Sequence, residues 1–258
     1  MLRPRIIPCL LVSNGGLVKT VRFAAPKYVG DPINAVKIFN EKESDELIVL
    51  DIDATARRAE PDYKRIANLA VECRMPLCYG GGIKSADQAK RIIGLGVEKV
   101  AISSAVVENP GLVGRISKEI GSQSVVVVLD VRKRDGGYEV WTHNATKNSG
   151  KPLAQAAEEA ERLGAGELAV NAIDNDGMMQ GYDLELARQV RELTTLPITI
   201  LGGAGSLDDI GRLIDACGVV GAAAGSLFVF KGAYRAVLIN YPNRDRKEEL
   251  LRRVAVRA

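Results

Sequence analysis

Carboxylates that end apolar segments are the residues in this sequence best suited to chemistry. Asp130 closes the run SVVVVLD (124–130), and Asp51 and Asp176 follow two further apolar runs. Apolar walls destabilise a charged carboxylate and raise its pKa toward neutrality, which suits general acid–base catalysis. The competing interpretation is a carboxylate that only caps its own loop. We predict Asp130 as a catalytic residue, with Asp51 and Asp176 as ligand-binding residues.

Glycine clusters follow two other apolar runs. They are YGGGI (79–83) and LGGAG (201–205), with the short segments SSA (103–105) and GSLF (225–228) further along. Backbone N–H groups at such glycines and at helix starts bind anions, although tight turns also need glycine. We therefore predict two phosphate sites and a ligand with a phosphate at each end. The residues assigned to these sites are Gly81, Gly82, Ser104, Gly202, Gly203, Gly205 and Ser226.

Four charged residues of alternating sign stand at the beginnings of apolar runs. They are Arg5, Glu46, Lys99 and Glu167. If the runs are parallel strands, these side chains form a ring at the end of the sheet opposite the carboxylates. From the residues alone we interpret such a ring as a stabilising feature of an ordinary barrel, with a channel gate as the alternative.

Apolar runs rich in β-branched residues alternate with helical patterns along the whole chain. Helix starts are indicated by Asp31 with Pro32, Pro61, Ser85, Pro110, Asp183 and Ser206. Eight βα units predict a single (β/α)8 TIM barrel over residues 1–258, with a doubly wound open sheet as the alternative. The eight runs are RIIPCLLV (5–12), ELIVLDID (46–53), PLCYGG (76–81), KVAISS (99–104), SVVVVLDV (124–131), ELAVNAI (167–173), ITILGG (198–203) and VVGAAAG (219–225).

The two halves of the chain resemble each other. DELIVLDID (45–53) aligns with GELAVNAID (166–174), and residues 76–93 align with residues 197–214 at the same displacement of 121 residues (166 − 45 and 197 − 76). An internal duplication predicts two half-barrels, roughly 1–120 and 121–241, with equivalent loops. The remaining segment, 242–258, is charge-rich, and we predict that it forms a solvated helix.

Composition narrows the functional classes. The formal net charge of +3 is too small to indicate nucleic-acid binding, and no run reaches the ~20 apolar residues of a membrane helix. The N-terminus lacks a secretory pattern, so we expect a cytoplasmic protein. His143 is the only histidine and has no nucleophile beside it in the sequence, which argues against a hydrolase triad. The cysteines Cys9, Cys73, Cys78 and Cys217 lack metal-ligand spacing, so we expect reduced thiols, no metal and no cofactor.

Ordered motifs across nearly the whole chain resemble the cyclase subunit family of imidazole glycerol phosphate synthase. They include RIIPCL (5–10), GDP (30–32), GGGI (80–83), ENP (108–110), GSQSVVV (121–127), GAGE (164–167) and GGAG (202–205), together with Ile173, Asp174, Asp176 and Gly177. The resemblance implies a duplicated barrel that takes a bis-phosphorylated substrate. It also implies a glutaminase partner docked on the barrel floor, which sends ammonia along the barrel axis.

The resemblance also implies roles for particular residues. Arg5, Glu46, Lys99 and Glu167 match the ammonia gate, and Glu98 and Gln123 match positions on or near the docking face. Lys19, Asp51, Asp130 and Asp176 match positions on the active face. The isomerase barrel of the same pathway is a weaker match, because the floor charges and IPCL favour the cyclase branch.

The sequence departs from the family at one of its two catalytic aspartates. Leu11 stands at the end of the first strand, and leucine cannot transfer a proton. Loss of a positioned acid–base group costs about 10²- to 10⁴-fold in rate. Further departures are Ser103, Asn144, Asn171, Leu201 and the two methionines of DGMMQGYD (176–183).

This pattern most resembles the cyclase-like paralogues associated with bacterial surface-polysaccharide genes. In that reading the chain delivers ammonia, through a glutaminase partner and a separate amidotransferase, to an amidino sugar. The alternatives left open are an active cyclase of histidine biosynthesis and a scaffold that activates the glutaminase without conducting ammonia.

Overall fold

The protein folds around a closed sheet of eight parallel strands. The computed structural model describes residues 3–232 and 234–255. The barrel strands are β1 (Arg5–Ser13), β4 (Leu47–Asp51), β5 (Leu77–Gly80), β6 (Lys99–Ile102), β7 (Val125–Arg134), β10 (Glu167–Ala172), β11 (Ile198–Leu201) and β12 (Gly221–Ala224). They follow one another in chain order around the sheet, and because β7 also pairs with β10 the sheet is closed, which excludes the open-sheet alternative.

Helices cover the outside of the barrel. Four of the helix starts indicated by the sequence are N-caps whose side chains accept a backbone N–H: Asp31, Ser85, Asp183 and Ser206. After Pro61, Asp62 is the residue that caps. The helices are α1 (Pro32–Glu41), α2 (Tyr63–Glu72), α3 (Ala86–Gly94), α4 (Ser104–Glu108), α5 (Gly111–Ile120), α6 (Leu153–Arg162), α7 (Leu184–Leu193), α8 (Leu207–Cys217), α9 (Ser226–Val229) and α10 (Arg244–Ala255), with a 3₁₀ turn at Ser122–Ser124.

Two β-hairpins rise from the carboxyl ends of the first and fifth barrel strands. The segment after β1 reads as a glycine-rich loop in the sequence, but it forms strands β2 (Gly16–Val21) and β3 (Ala24–Gly30). The equivalent hairpin after β7 contains β8 (Gly137–Thr142) and β9 (Lys147–Pro152). A small ribbon, β13 (Phe230–Lys231) and β14 (Ala236–Val237), follows α9. The first two hairpins stand at the mouth of the barrel.

Two glycines at equivalent positions of the predicted repeat make matching backbone contacts. A Cβ on Gly81 would lie 2.5 Å from the carbonyl oxygen of Asp51, and a Cβ on Gly202 would lie 2.6 Å from that of Ala172. Both glycines have positive φ, +122° and +95°. The same close approach at a displacement of 121 residues (202 − 81 and 172 − 51) supports the duplication inferred from sequence.

The barrel interior is a separate apolar layer between the floor and the mouth. It is formed by Ile7, Cys9, Ile48, Cys78, Ala101, Val126, Val128, Ala169, Leu201 and Ala223. Leu11 and Leu50 pack against this layer from above. The centre of the barrel is therefore filled mainly by hydrocarbon and sulfur.

The C-terminal helix is less solvated than its charge predicts. Lys247 on α10 is only 7% exposed, and its ammonium donates to Asp45 Oδ1 at 2.6 Å and to the Glu43 carbonyl at 3.3 Å. Asp45 Oδ2 in turn accepts the N–H of Ile6. The expectation of a solvated helix is therefore wrong for this face of α10; residues 256–258 lie outside the described part of the chain.

Candidate active site and charged floor

A cavity of about 400 Å³ occupies the carboxyl ends of the barrel strands. This is where parallel barrels bind ligands, because the loops after the strands converge there. Of the residues assigned to the site from sequence, the structure brings together Leu11, Lys19, Asp51, Gly81, Gly82, Ser104, Asp130, Asp176, Gly202, Gly203 and Ser226. Gly205 does not line the cavity.

Asp130 lies at the cavity base. Its carboxylate accepts the Asn171 amide at 3.3 Å and the Ser103 hydroxyl at 3.4 Å, both long hydrogen bonds. Burial raises its pKa to about 7, assisted by the nearby charge of Asp176 and opposed by these two hydrogen bonds. A carboxyl group that exchanges its proton near neutral pH is suited to acid–base chemistry.

The position expected to hold the second acid is apolar. Leu11 is half-buried, pairs with Leu50 on β4 and Val18 on β2, and packs on the interior layer. No backbone irregularity separates Leu11 from its strand neighbours. Its side chain lies between the interior layer and the cavity.

Lys19 and Asp176 form the charged side of the cavity. The Lys19 ammonium is buried and donates to the Cys9 carbonyl at 2.6 Å, and burial lowers its pKa. Asp176 Oδ2 accepts the Thr20 hydroxyl at 2.8 Å, and burial raises its pKa. A Cβ on Gly225 would come within 2.3 Å of Lys19 Nζ, so the ammonium lies against the loop that precedes α9.

Asp51 combines the two interpretations considered for it. It lines the cavity, and its Oδ1 also accepts the N–H groups of Asp53 and Ala54, both at 3.1 Å. Arg65 approaches its other oxygen at 3.7 Å. Burial raises its pKa despite these contacts. Asp51 therefore shapes its own loop while it faces the ligand space.

The glycine loops are held close to neighbouring backbone. A Cβ on Gly82 would lie 2.9 Å from the Ala59 carbonyl, and one on Gly203 would lie 2.0 Å from the Gly181 carbonyl. Both residues have positive φ, so glycine is needed at each. Gly205 differs, because its N–H donates to Asp209 Oδ2 at 2.9 Å within the cap of α8 and is not available to an anion.

The tip of the β8–β9 hairpin crosses the mouth, which the sequence did not predict. His143, Asn144 and Ala145 all have φ between 53° and 59°. The His143 N–H donates to Ser104 Oγ at 3.1 Å, and the Asn144 amide donates to the Ile52 carbonyl at 2.8 Å. Non-glycine residues in this conformation persist only when surrounding contacts hold them. Sequence offers only the polar THNAT segment as a signal.

The four floor charges form a closed ring at the amino ends of the strands. Arg5 contacts both Glu46 and Glu167, the latter at 2.8 Å; Lys99 lies 2.8 Å from Glu46 and 2.9 Å from Glu167. Burial acts to lower the pKa of Lys99, but the two carboxylates outweigh it and raise that pKa. Burial acts likewise to raise the pKa of Glu167, but the two bases hold it below its usual range. Arg5, Lys99 and Glu167 are thus charged at neutral pH.

Thr199 extends the ring and was missed by sequence reasoning. Its hydroxyl, fully buried on β11, donates to Glu167 Oε1 at 2.5 Å. A Cβ on Gly221 would lie 2.0 Å from this hydroxyl oxygen, so glycine at 221 leaves room for it. The only signal in the sequence was a hydroxyl within the apolar run ITIL.

Glu98 and Gln123 lie on the same side of the barrel as the ring. Both are exposed; Glu98 directly precedes β6, and Gln123 lies in the 3₁₀ turn before β7. Glu98 also accepts the N–H of Leu77 at 2.7 Å, so its carboxylate is held in place. The floor thus presents fixed polar groups around the charged ring.

The described residues include neither a helix that could span a membrane nor a cluster that could hold a metal ion. Across the two described ranges, 3–232 and 234–255, no helix is long and apolar enough to cross a membrane. Within those ranges no group of three or more His, Cys, Asp or Glu side chains is arranged to hold a metal ion.

The closed eight-stranded sheet, the cavity at its carboxyl ends and the helices around it define a TIM-barrel protein. The family model described as histidine biosynthesis protein matches residues 5–235. The chain belongs to this family, among the HisF-type subunits of imidazole glycerol phosphate synthase, as the motifs indicated.

Several proteins named provisionally as HisF-type subunits of imidazole glycerol phosphate synthase are similar to this chain over nearly its whole length. One from Leptospira borgpetersenii is 56% identical over 252 residues, 97% of this chain and 99% of that protein. One from Vibrio vulnificus (strain YJ016) is 55% identical over 253 residues, 97% of each chain. One from Pseudomonas aeruginosa is 50% identical over 244 residues, 94% of this chain and 97% of that protein.

Proposed function

We propose that this chain is the ammonia-receiving subunit of a glutamine-dependent amidotransferase complex, with its own cyclase chemistry impaired. The observation that carries the proposal is the combination of a complete charged ring at the floor with Leu11 at the mouth. The groups suited to admitting ammonia are retained, while one of the two groups expected to perform cyclisation is absent.

The barrel interior supports passage of neutral ammonia. Between the ring and Leu11 the axis is bounded by the apolar layer described above. Transfer of a charged ammonium ion into such surroundings is far more costly than transfer of a small neutral molecule. The layer therefore favours NH₃ over NH₄⁺, and the ring of compensated charges narrows its entrance.

The floor supports docking of a glutaminase, the partner implied by the family. Glu98 and Gln123 are exposed beside the ring and offer polar contacts to that partner. A glutaminase seated there would release ammonia directly over the ring, out of reach of bulk water. The complex would contain one barrel and one glutaminase as a heterodimer.

The most specific part of the proposal is the molecule that accepts the ammonia nitrogen. Likeness to the polysaccharide-associated paralogues suggests a third subunit, an amidotransferase that forms an amidino group on a sugar. The cavity also supports binding of a small phosphorylated molecule or anion, because Gly82 with Ser104 and Gly203 with Ser226 face it from opposite halves and Lys19 adds a cation.

A second candidate is an active cyclase of histidine biosynthesis, which Asp130 and the glycine loops favour. A third is a scaffold that activates the glutaminase without conducting ammonia, in which the ring only stabilises the barrel.

The test between the first two is ammonia-dependent formation of imidazole glycerol phosphate by the isolated chain. We expect little or no turnover, because Leu11 removes one proton-transfer group. Leu11→Asp is expected to recover part of the activity at most, since Ser103, Asn144, Asn171 and Leu201 also differ from the family. Turnover by the native chain within tenfold of an aspartate-bearing relative would overturn the proposal in favour of the cyclase.

A further inference from the structure

Asn171 has an unusual hydrogen-bonding state. It is 8% exposed and lines the cavity, and its amide nitrogen donates to Asp130 Oδ1 at 3.3 Å. Its amide oxygen is buried and has no hydrogen-bond partner. A buried acceptor left unpaired costs about 1–3 kcal/mol. Such a group at a cavity wall indicates a ligand that donates to it.

The position of this oxygen is fixed by its neighbours. The Asp130 carboxylate accepts hydrogen bonds and therefore faces the Asn171 nitrogen, which turns the amide oxygen away from it. On that other side lies Gly202, where a Cβ would be 3.1 Å from the oxygen. Asn171 pairs in register with Asp130 on β7 and with Leu201 on β11. The oxygen thus lies beside Gly202 at the wall of the cavity.

The charges around the oxygen favour an N–H donor. Asp51, Asp130 and Asp176 line the cavity, and Lys19 is the one lysine ammonium buried beside them among the described residues. Ionised carboxylates and an amide oxygen accept hydrogen bonds but do not donate them. An incoming group that brings several N–H bonds satisfies these acceptors, whereas a carbonyl or phosphate oxygen does not.

We propose that Asn171 and Asp130 form a subsite for ammonia, in which N–H groups of ammonia donate to Asn171 Oδ1 and to the Asp130 carboxylate. The subsite lies at the cavity end of the apolar layer, next to Leu201. Ammonia held there donates through its N–H bonds and keeps its lone pair free. This proposal rests on the delivery of ammonia proposed above.

The test uses the isolated full chain labelled with ¹⁵N. Ammonium chloride, potassium chloride and tetramethylammonium chloride are titrated at constant ionic strength while the side-chain NH₂ resonances of Asn171 are followed. These resonances are identified by their loss in Asn171→Leu. Potassium has a similar size to ammonium but no N–H, and tetramethylammonium has the charge without the N–H.

The expected result is a saturating shift of the Asn171 resonances with ammonium chloride only. The rise in melting temperature that ammonium produces beyond potassium should fall at least threefold in Asn171→Leu. It should persist in Ser103→Ala, which removes the other hydrogen bond to Asp130 and leaves the Asn171 oxygen intact. Equal shifts with all three salts, or no shift with any, would overturn the proposal without need of a variant.

The two proposals fail separately. An Asn171 response to ammonium together with nitrogen transfer that is insensitive to the floor ring would leave the subsite standing and remove the route through the barrel. Sensitivity of transfer to the ring, with no Asn171 response, would remove only the subsite.

Discussion

Replacement of Asp130 by asparagine is expected to change how stability depends on pH. Burial raises the pKa of Asp130 to about 7 in the folded protein, from 3.8 in a model compound. The folded state therefore binds the proton more tightly than the unfolded state. As the pH rises from about 4 to about 7, this group lowers the free energy of unfolding of the protein. At 1.36 kcal/mol per pKa unit, the difference of about 3 units corresponds to about 4 kcal/mol at pH 8.

Asparagine has no proton to lose, so Asp130→Asn does not carry this loss. Relative to the native chain, the variant should gain up to about 4 kcal/mol between pH 4 and pH 8, and less where water in the open cavity solvates the carboxylate. Part of the gain comes from the charge of Asp176, which contributes to the raised pKa of Asp130. The variant also keeps an oxygen able to accept the Asn171 amide.

The assay is urea unfolding of both proteins at pH 4, 6 and 8. Asp135→Asn serves as the matched control, because Asp135 is exposed in the turn between β7 and β8 and asparagine suits the same turn before Gly136. If the stability difference for Asp130→Asn varied between pH 4 and pH 8 no more than that for Asp135→Asn, the account of a buried, proton-exchanging carboxyl group would be refuted.

Two further predictions concern the α10 contact and the anion sites. Lys247→Ala leaves the Asp45 carboxylate without its buried partner and should lower the free energy of unfolding by about 3 kcal/mol. Lys37→Ala, which loses an exposed pair, should lower it by under about 1 kcal/mol. Equal losses of the two variants in urea unfolding would contradict this prediction. Crystals grown in phosphate should show anion density near Gly82 with Ser104 or near Gly203 with Ser226, and water alone at both places would count against the two sites.

Features set by local sequence could be predicted, while those set by long-range contacts could not. The eight strands and the caps at Asp31 and Ser206 follow from periodicity and capping chemistry within a few residues. The hairpins also had a local signal, the two-residue turns Asn14–Gly15 and Asp135–Gly136, which reads as a hairpin once its flanking strands are considered. Interpretation of the segment after β1 as a glycine-rich loop overlooked the Asn14–Gly15 turn.

The site divides in the same way. Asp130 and the floor charges stand at strand ends, so topology alone brings each set together. The link from Thr199 to Glu167 and the unpaired oxygen of Asn171 depend on neighbouring strands, and no local pattern marks them. Gly205 was assigned to a phosphate site by its position, but the capping of α8 by Asp209 takes its N–H.

The most direct test of ammonia passage is nitrogen transfer in the reconstituted complex supplied with glutamine labelled with ¹⁵N at the amide. Lys99→Ala and Glu167→Ala are compared with Lys90→Ala, which removes an exposed pair between the outer helices α3 and α5. We expect all three to retain glutamine hydrolysis, and the two ring variants alone to lower the share of ¹⁵N that reaches the final product. Unchanged coupling in both ring variants would show that the ring only stabilises the barrel and that ammonia travels another way.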